Sequence, residues 1–250
     1  MDKKLPLVSV ITGVYNPPPI LFKKYIESCI NSTLDFCEFI FILDDPTDTI
    51  SKSILDEYKV NIQQSKHTFV IQENTQNLGI IPTYNIGMKF ISGEYTIFFD
   101  SDDFFDIDFL EVMYNYAKEH SLDLLSGYSI THWFDDTSTF PLEFMQSLNN
   151  DVWVNLFKSS TLIDNGISYV DDPIIMLNKL NSIKNVEIDT LPLEKGVFYH
   201  YVRNQKSISS YNLEESLISI KDHILTMENN LNLTKHKFNS ISNMILNKKD

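Results

Sequence analysis

Apolar residues in the first half of the chain follow two periods, one typical of strands and one typical of helices. Short runs rich in β-branched and aromatic residues predict strands. These runs span residues 7–14, 38–43, 68–72, 93–99 and 122–130. Between them, apolar residues recur every three or four positions, which predicts amphipathic helices. The predicted helices lie at residues 20–30, about 48–59, about 82–91 and about 107–119.

Strands that alternate with helices in this way predict a Rossmann-like α/β fold with a mostly parallel central sheet flanked by helices. In such sheets, ligands bind beyond the carboxyl ends of the strands. Polar residues follow three of the predicted strands, at Tyr15-Asn16, at Asp44-Asp45 and at residues 100–103. Together they predict one polar crevice at that edge of the sheet.

The DSDD stretch after the fourth predicted strand places three carboxylates within four residues. Carboxylates this close repel one another unless water or a cation offsets their charge. Alternate residues of a strand share a face, so Asp100 and Asp102 together offer oxygen ligands to Mn²⁺ or Mg²⁺. Such an ion keeps positions open for water and substrate phosphates. The other interpretation is a solvated acidic turn, with Asp103, Asp106 and Asp108 as candidate caps for the next helix.

The regular alternation fades after about residue 130. Residues 152–180 predict a strand, a short helix, a loop and a second helix, and residues 196–209 predict a strand that runs into a polar loop. From Leu213 to Ile245, apolar residues alternate spacings of four and three, which is a heptad pattern. Two interpretations stay open: an amphipathic helix or helical pair packed on the rest of the chain, and a seam for self-association over residues 213–245.

Composition and charge exclude some classes of partner. The 250 residues are 43% hydrophobic, which is typical of a globular protein with a sizeable core. Lys and Arg number 20 against 34 Asp and Glu, and the net charge of −14 argues against non-specific nucleic-acid binding. Cys29 and Cys37 make no zinc site without further ligands. Because Cys29 falls on the apolar face of a predicted helix, we expect it to be a buried free thiol.

No export signal is evident near the first residues. The apolar stretch there is too short for a signal peptide, and no run of about 18 apolar residues predicts a membrane span. We therefore expect a cytoplasmic location. The tail is locally basic, which suits either peripheral contact with the inner face of the membrane or a solubilising helix face. Its basic residues are Lys235, Lys237, Lys248 and Lys249.

Three segments of the chain together resemble a known family. VSVITGVYN, FILDD and NLGIIPTYNIGMKFISGEYTIFFDSDD are similar to the inverting nucleotide-sugar glycosyltransferases of family 2, which have the GT-A fold. The likeness covers about residues 6–128, and the later segments VWVNLFKSSTLIDNGISYVDD and FYHYVRNQKSIS resemble the second half of bacterial capsule and lipopolysaccharide transferases. It implies a GT-A domain over residues 1–210, followed by a C-terminal helical tail over residues 211–250. The nucleotide-binding half would cover about residues 1–130 and the acceptor half about residues 131–210.

The resemblance implies a nucleotide site built by the first strand ends. Tyr15 would stack on the nucleotide base, with Asn16 beside it. Asp45, together with Asp44, would hydrogen-bond the base or the ribose. Asn85, the last residue of the segment that is usually ARN in the family, is assigned to the same site.

The resemblance also implies a metal site and a base. Asp100 would face the ribose or the water shell of the metal, and Asp102 would bind the Mn²⁺ or Mg²⁺ that bridges the diphosphate. The catalytic base of the family is a late acid before a helix, a place that Asp172 of the Asp171-Asp172 pair occupies. It would take the proton of an acceptor hydroxyl, whose oxygen attacks the anomeric carbon and inverts it. The other interpretation is that the pair caps the helix beginning at Pro173, and capping does not exclude catalysis.

The implied activity is metal-dependent transfer of a hexosyl or N-acetylhexosaminyl group from a nucleotide-diphosphate sugar. Its acceptor would be a hydroxyl of a glycan or a lipid-linked molecule in surface polysaccharide synthesis. His132, Trp153 and His200 lie in the implied acceptor half, where aromatic rings stack on sugars or else belong to the core.

Two departures from the family pattern leave an alternative open. The turn over residues 44–48 lacks the usual glycine, and Tyr84 stands where the family has an arginine near the phosphates. Arg203 or Lys206 would then have to supply that charge. A catalytically silent GT-A subunit that binds nucleotide or serves as a scaffold is the alternative. A phosphatase with Asp100 as nucleophile is disfavoured, because that class carries its acidic pair after the first strand.

Overall fold

A seven-stranded, mostly parallel sheet forms the centre of the protein. The structure is a computed structural model, and it describes residues 5–134, 146–147, 154–170 and 173–204. The strand order is β10-β6-β9-β4-β1-β2-β3. These strands are β1 (Val8–Val14), β2 (Cys37–Leu43), β3 (Thr68–Glu73), β4 (Tyr95–Asp100), β6 (Leu124–Ser126), β9 (Asn155–Lys158) and β10 (Ile188–Thr190). Only β9 runs antiparallel to its neighbours among the described pairs.

Helices cover the sheet, and a second, smaller sheet lies beside it. The helices are α1 (Pro19–Asn31), α2 (Thr49–Glu57), α3 (Lys59–Gln64), α4 (Ile80–Gly87), α5 (Phe109–Glu119), α6 (Ser159–Asp164) and α7 (Pro173–Asn181). The small sheet has the order β5-β11-β7-β8. Its strands are β5 (Phe104–Phe105), β7 (Ser129–Phe134), β8 (Gln146–Ser147) and β11 (Tyr199–Asn204). The predicted α/β fold with a mostly parallel sheet flanked by helices is confirmed.

The central strands are apolar because both of their faces are covered. All seven residues of β2 are buried, as are six of the seven in β1. A strand buried on both faces carries a continuous apolar run rather than an alternation, which is the pattern seen in the sequence. Helix α1 starts with Pro19 at its first turn and packs its apolar face on the core. Cys29 lies on that face, fully buried and with a free thiol as expected.

A buried glutamate fixes the opposite, amino ends of the central strands. Glu38 is only 4% exposed, and its carboxylate accepts hydrogen bonds from the hydroxyls of Ser9 and Ser92 and from the Ser92 and Gly93 amides. A Cβ on Gly93 would lie 2.6 Å from the Ser9 nitrogen, so the backbone can approach this closely only at a glycine. The resulting register pairs Val14 with Leu43 and Gly13 with Asp100, which brings the carboxyl ends of β1, β2 and β4 level.

Two predicted elements are divided in the structure. The run at residues 122–130 was expected to be one strand, but it splits at Gly127 and Tyr128 between β6 of the large sheet and β7 of the small one. The Gly127 amide donates to the Val154 carbonyl there, and the chain turns from one sheet to the other. The helix expected at about residues 48–59 breaks at Tyr58 into α2 and α3.

The predicted tail, with its heptad pattern, lies outside the described residues. The domain boundary near residue 210 therefore stays a prediction. Within the described part of the chain, no helix is long and apolar enough to cross a membrane.

Candidate functional site

The ends of β1 and β2 are joined by a side-chain bridge. Asn16 has a φ of 46°, a left-handed conformation that asparagine tolerates better than most residues. Its Nδ2 donates to Asp45 Oδ2 at 2.8 Å, while Asp45 Oδ1 accepts from the Thr47 amide at 2.8 Å and the Thr47 hydroxyl at 2.6 Å. These bonds from Thr47 and Asn16 lower the pKa of Asp45. The Tyr15 ring beside them is 51% exposed, so the bridge offers a fixed anion and an open aromatic face.

Asp44 faces the interior of the protein rather than solvent. Its Oδ1 accepts from Asn74 Nδ2 at 2.7 Å and from the Leu78 amide at 2.9 Å, and its Oδ2 accepts from the Gly79 amide at 2.9 Å. The side chain is 4% exposed. Asp44 therefore holds the loop that leads into α4. A direct contact between Asp44 and a nucleotide stays a prediction.

The end of β4 presents the acidic stretch. Asp100 is the last residue of β4, and its Oδ1 accepts the Tyr84 hydroxyl at 2.7 Å. Burial raises the pKa of Asp100 despite this bond. Asp102 is half-buried, whereas Asp103 is only 1% exposed. Burial, together with the negative charges of Asp102 and Asp100, raises the pKa of Asp103 well above its usual value. The site therefore carries more negative charge than its surroundings favour.

The capping role expected for Asp103 is wrong. Its Oδ2 accepts the Tyr199 hydroxyl at 2.6 Å and its Oδ1 accepts the Val202 amide at 2.7 Å, so it binds β11 instead. The Tyr199 hydroxyl in turn accepts the Asp100 amide at 3.1 Å. Residues almost one hundred positions later thus hold the acidic loop in place.

The capping roles expected for Asp106 and Asp108 are also wrong. Asp108 stands at the N-cap of α5 without a side-chain hydrogen bond to the helix. The Asp106 carboxylate accepts the Phe198 amide at 2.9 Å and lies 2.9 Å from His200 Nε2. Local spacing allows helix caps, but Asp103 bonds to β11, and Asp106 bonds to β11 and to Phe198 just before it.

The residues at the end of β4 fit a hard divalent cation. The available donors are carboxylate oxygens, which Mg²⁺ and Mn²⁺ prefer, and a dication would offset the charge that burial disfavours. Among the described residues there is no group of three or more His, Cys, Asp or Glu placed to hold a metal. A cation at Asp100 and Asp102 would therefore complete its coordination shell with water and substrate oxygens.

Asn85 directs its amide at the protein. Its Nδ2 donates to the Ile81 carbonyl at 2.8 Å and to the Tyr169 carbonyl at 3.0 Å, and its Oδ1 accepts the Tyr169 amide at 3.0 Å. The nucleotide contact that the resemblance implied for Asn85 stays a prediction. The described chain continues from Tyr169 to Val170. Asp171 and Asp172 come next in sequence and lie outside the described residues, as do Trp153 and Lys206.

The structure adds residues that the sequence did not single out as site residues. Tyr84 and Tyr199 bind the acidic stretch through their hydroxyls, and both are buried. From the sequence alone, both tyrosines look like ordinary core aromatic residues, because no local pattern shows which carboxylate will accept a hydrogen bond from a buried hydroxyl. The one available signal was the presence of buried tyrosine, rather than phenylalanine, since a buried hydroxyl needs a hydrogen-bond partner.

Comparison with known proteins gives consistent family matches. The model of glycosyl transferase family 2 matches residues 9–166. An uncharacterized glycosyltransferase of Methanocaldococcus jannaschii is 32% identical over 145 residues, which are 58% of this chain and 47% of that protein. A putative teichuronic acid biosynthesis glycosyltransferase of Bacillus subtilis is 34% identical over 130 residues, 50% of this chain and 48% of that protein. A poly(ribitol-phosphate) beta-glucosyltransferase of Bacillus spizizenii is 29% identical over 121 residues, 48% of this chain and 18% of that protein. The chain thus spans about half or less of the length of these relatives.

Solved structures share the fold. The S. aureus TarS 1–349 structure in complex with UDP-GlcNAc matches with a TM-score of 0.63 at 18% identity, covering 92% of this chain and 69% of that one. A mannosyltransferase from Pyrobaculum calidifontis in complex with GDP-Man and Mn²⁺ matches with a TM-score of 0.59 at 15% identity, covering 82% of this chain and 59% of that one. Identities this low show similarity of fold only.

Proposed function

The chain belongs to glycosyl transferase family 2 and has its GT-A fold, and from that premise we propose that it transfers a sugar from a nucleotide-diphosphate sugar to an acceptor hydroxyl. The transfer is metal-dependent and inverts the anomeric carbon, and the group moved is a hexosyl or N-acetylhexosaminyl unit. The observation that carries the proposal is that three strand ends bearing polar residues lie level at one edge of the sheet. Tyr15, the Asn16–Asp45 bridge and the Asp100–Asp102 stretch follow β1, β2 and β4, whose register brings these ends level.

The first part of the site would bind the nucleoside. The exposed Tyr15 ring offers a face for stacking on the base, and the Asn16–Asp45 bridge fixes a carboxylate beside it. Because the pKa of Asp45 is lowered, this group is an anion at neutral pH and accepts hydrogen bonds from base or ribose donors. Asp44 contributes by holding the neighbouring loop at Leu78 and Gly79.

The second part would hold the diphosphate through a cation. Asp102, with Asp100, would be the protein ligand of Mn²⁺ or Mg²⁺, and a bound cation of this kind stabilises a departing phosphate oxygen. Tyr84 and Tyr199 orient the acidic stretch by their hydroxyl bonds to Asp100 and Asp103. Arg203, at the end of β11, is the described candidate for a further positive charge near the phosphates.

The third part would activate the acceptor. We assign the base to Asp172, which would accept the proton of the acceptor hydroxyl. The acceptor oxygen then forms a bond to the anomeric carbon while the bond from that carbon to the diphosphate breaks on the opposite side. The nucleoside diphosphate leaves with the bonding electrons, and the configuration is inverted.

The biological setting is inferred from relatives. Their printed names include teichuronic acid biosynthesis and poly(ribitol-phosphate) glucosylation, which supports an acceptor that is a glycan or a lipid-linked surface polymer precursor. Synthesis of a capsule or lipopolysaccharide polymer by a cytoplasmic enzyme fits the same setting. Peripheral contact with the inner membrane face, through the basic tail, would bring the enzyme to a lipid-linked acceptor.

A catalytically silent nucleotide-binding or scaffolding subunit is the second candidate. It is favoured by Tyr84, which occupies the place of the usual arginine. Tyr84 is 2% exposed, and its hydroxyl donates to Asp100 at 2.7 Å, so this position supplies no positive charge to the crevice. The silent subunit would bind nucleotide with metal but neither transfer nor hydrolyse the donor.

One set of variants separates the two candidates. Thermal shifts with UDP, GDP and their sugars, each with and without Mn²⁺, identify the donor, because a ligand that binds the native state raises the melting temperature. We expect Asp102→Ala to abolish the Mn²⁺-dependent shift. Asp172→Asn should keep that shift and lower transfer by about 100- to 10,000-fold, the usual contribution of a general base.

Asp56→Ala is the control, since Asp56 is exposed on α2 away from the strand ends and should leave both readouts unchanged. Full transfer by both site variants would contradict the assignment of the metal site and the base. A selective nucleotide-induced shift without turnover in the unmodified protein would favour the silent subunit.

A further inference from the structure

Two neighbouring residues of α4 hold one residue from the far half of the chain. Asn85 exchanges two hydrogen bonds with the backbone of Tyr169, donating to its carbonyl at 3.0 Å and accepting its amide at 3.0 Å. Tyr84 stacks its ring on the Tyr169 ring, with centroids 4.4 Å apart and planes 20° apart. Tyr169 is thus fixed both through its backbone and through its side chain, and it is only 7% exposed.

The Asn85 side-chain amide hydrogen-bonds both the carbonyl and the amide of Tyr169, as the backbone of a neighbouring strand would. One side chain supplies both the donor and the acceptor that a single residue's backbone needs, and a third bond, to the Ile81 carbonyl at 2.8 Å, anchors the amide to its own helix. Asparagine meets this requirement at this length, since aspartate lacks the donor and leucine lacks both groups. Loss of the amide would leave two backbone groups of Tyr169 without these partners in a largely buried place, which is costly.

Tyr84, which stacks on Tyr169, also binds the proposed metal site. The Tyr84 hydroxyl donates to Asp100 Oδ1 at 2.7 Å and to the Phe99 carbonyl at 2.9 Å. The ring that stacks on Tyr169 therefore carries the hydroxyl that orients Asp100. In the other direction, the described chain runs from Tyr169 to Val170, and Asp171 and Asp172 follow in sequence.

From this geometry we propose that Asn85 is a positioning residue, which fixes the segment leading into Asp171-Asp172 relative to the Asp100–Asp102 site. The proposal rests on the proposed function, since it gives Asn85 a task in the same reaction. In this role Asn85 acts through the backbone of Tyr169 rather than through the nucleotide contact that the resemblance implied. In that reaction Asn85 would act, through Tyr169, on the separation between the proposed diphosphate site and the acid assigned as the base, which follows the described segment in sequence. A displacement of about 1 Å in such a pair costs on the order of 100-fold in rate.

The test compares Asn85→Ala with Asn31→Ala. Asn31 ends α1, and its side chain donates to the carbonyl four residues earlier, that of Glu27, at 2.8 Å. Its variant therefore removes a bond of the same kind as the one from Asn85 to Ile81, without the contact to Tyr169. We expect Asn85→Ala to lower kcat for sugar transfer by about 10- to 100-fold. The KM for the donor and the Mn²⁺-dependent thermal shift with nucleoside diphosphate should stay within about twofold of the unmodified protein. Asn31→Ala should match the unmodified protein in all three.

The outcomes separate this proposal from the proposed function. Transfer by Asn85→Ala at the unmodified rate would overturn the positioning role. A rise in donor KM with kcat unchanged would overturn it too, because it would place Asn85 in the nucleotide site. No transfer by the unmodified protein would instead overturn the proposed function. Should Asn85→Ala not fold, Asn85→Ser carries the test, since a serine hydroxyl can retain the bond to the Ile81 carbonyl and still loses the paired contact to Tyr169.

Discussion

His132 lies at the inner end of a chain of three titratable side chains. Its Nε2 is 2.8 Å from His200 Nδ1, and His200 Nε2 is 2.9 Å from Asp106 Oδ1. Phe104 stacks on His200 with centroids 4.3 Å apart, and Lys24 places its ammonium 3.3 Å from the centroid of the Phe104 ring. Burial, then repulsion from His200 and Lys24, lowers the pKa of His132 to about 4. At neutral pH this ring is therefore uncharged and serves as a structural hydrogen-bonding group.

A pH dependence of stability follows from this lowered pKa. The unfolded chain binds a proton at His132 with a pKa of 6.5, whereas the native state resists it until about pH 4. The stabilisation is complete above pH 6.5 and is lost as the pH falls towards 4. Between pH 7 and pH 5 we expect the free energy of unfolding to fall by about 2 kcal/mol more in the unmodified protein than in His132→Gln, as measured by urea denaturation. His120→Gln, at an exposed position, should keep the unmodified slope, and an unmodified slope in His132→Gln would contradict the prediction.

At the scale of elements, β11 acts as a brace for the loop after β4. The Tyr199 ring stacks on Phe99 at 4.8 Å, its hydroxyl joins Asp100 to Asp103, and the Val202 amide binds Asp103. The acidic stretch is thus held from two sides, by α4 through Tyr84 and by β11 through Tyr199. A strand from the second half of the chain therefore helps to shape the acidic stretch that we propose as the metal site.

Tyr199→Phe tests this brace while keeping the stacked ring. Removing a buried hydroxyl should cost about 1 kcal/mol of stability, and Tyr95→Phe is the matched control, since that buried hydroxyl donates to the Leu122 carbonyl at 2.9 Å. We expect only Tyr199→Phe to weaken Mn²⁺-dependent binding of nucleoside diphosphate, by about tenfold in calorimetry, which corresponds to about 1.4 kcal/mol. Equal nucleotide affinity in the two variants would show that the acidic loop keeps its shape without the brace.

Local patterns in the sequence were sufficient to predict the strands whose polar ends form the candidate site. They were insufficient to predict the side-chain bonds that join those ends to other elements. The runs that form β1, β2 and β4 are apolar because both faces of these strands are covered, and the polar residues after them stand where the strands end. By contrast, the bonds from Asp103 to Tyr199 and from Asn85 to Tyr169 cross 96 and 84 residues. Periodicity describes one segment at a time and holds no information on such pairs. For the same reason the sequence offers only a local alternative for Asp103 and Asp106, as helix caps, and gives no sign of their bonds to Tyr199 and His200.

At the scale of the whole molecule, the heptad pattern after residue 210 raises the question of whether two copies of the chain associate. Its heptad seam over residues 213–245 is apolar in nine of ten positions, while Asn229, Asn230 and Asn232 interrupt it with residues of low helix propensity. A net charge of −14 opposes association of two copies, so a seam would have to bury enough apolar surface to outweigh that repulsion. Two copies that share such a seam would also double the basic tail presented to a membrane.

Light scattering after size exclusion distinguishes the two interpretations of this seam. Self-association predicts about twice the chain mass of 29.0 kDa for the full chain and a monomer for a chain ending at residue 210. Within the full chain, Ile220→Asp places a charge on the seam and should restore the monomer, because burying an unpaired carboxylate in an apolar interface is strongly unfavourable. Ser219→Asp adds the same charge beside the seam and should leave the mass unchanged. A monomeric full chain would instead favour a helix packed on the rest of the protein. Ile220→Asp would then lower the melting temperature, through loss of an intramolecular contact, with no change in mass.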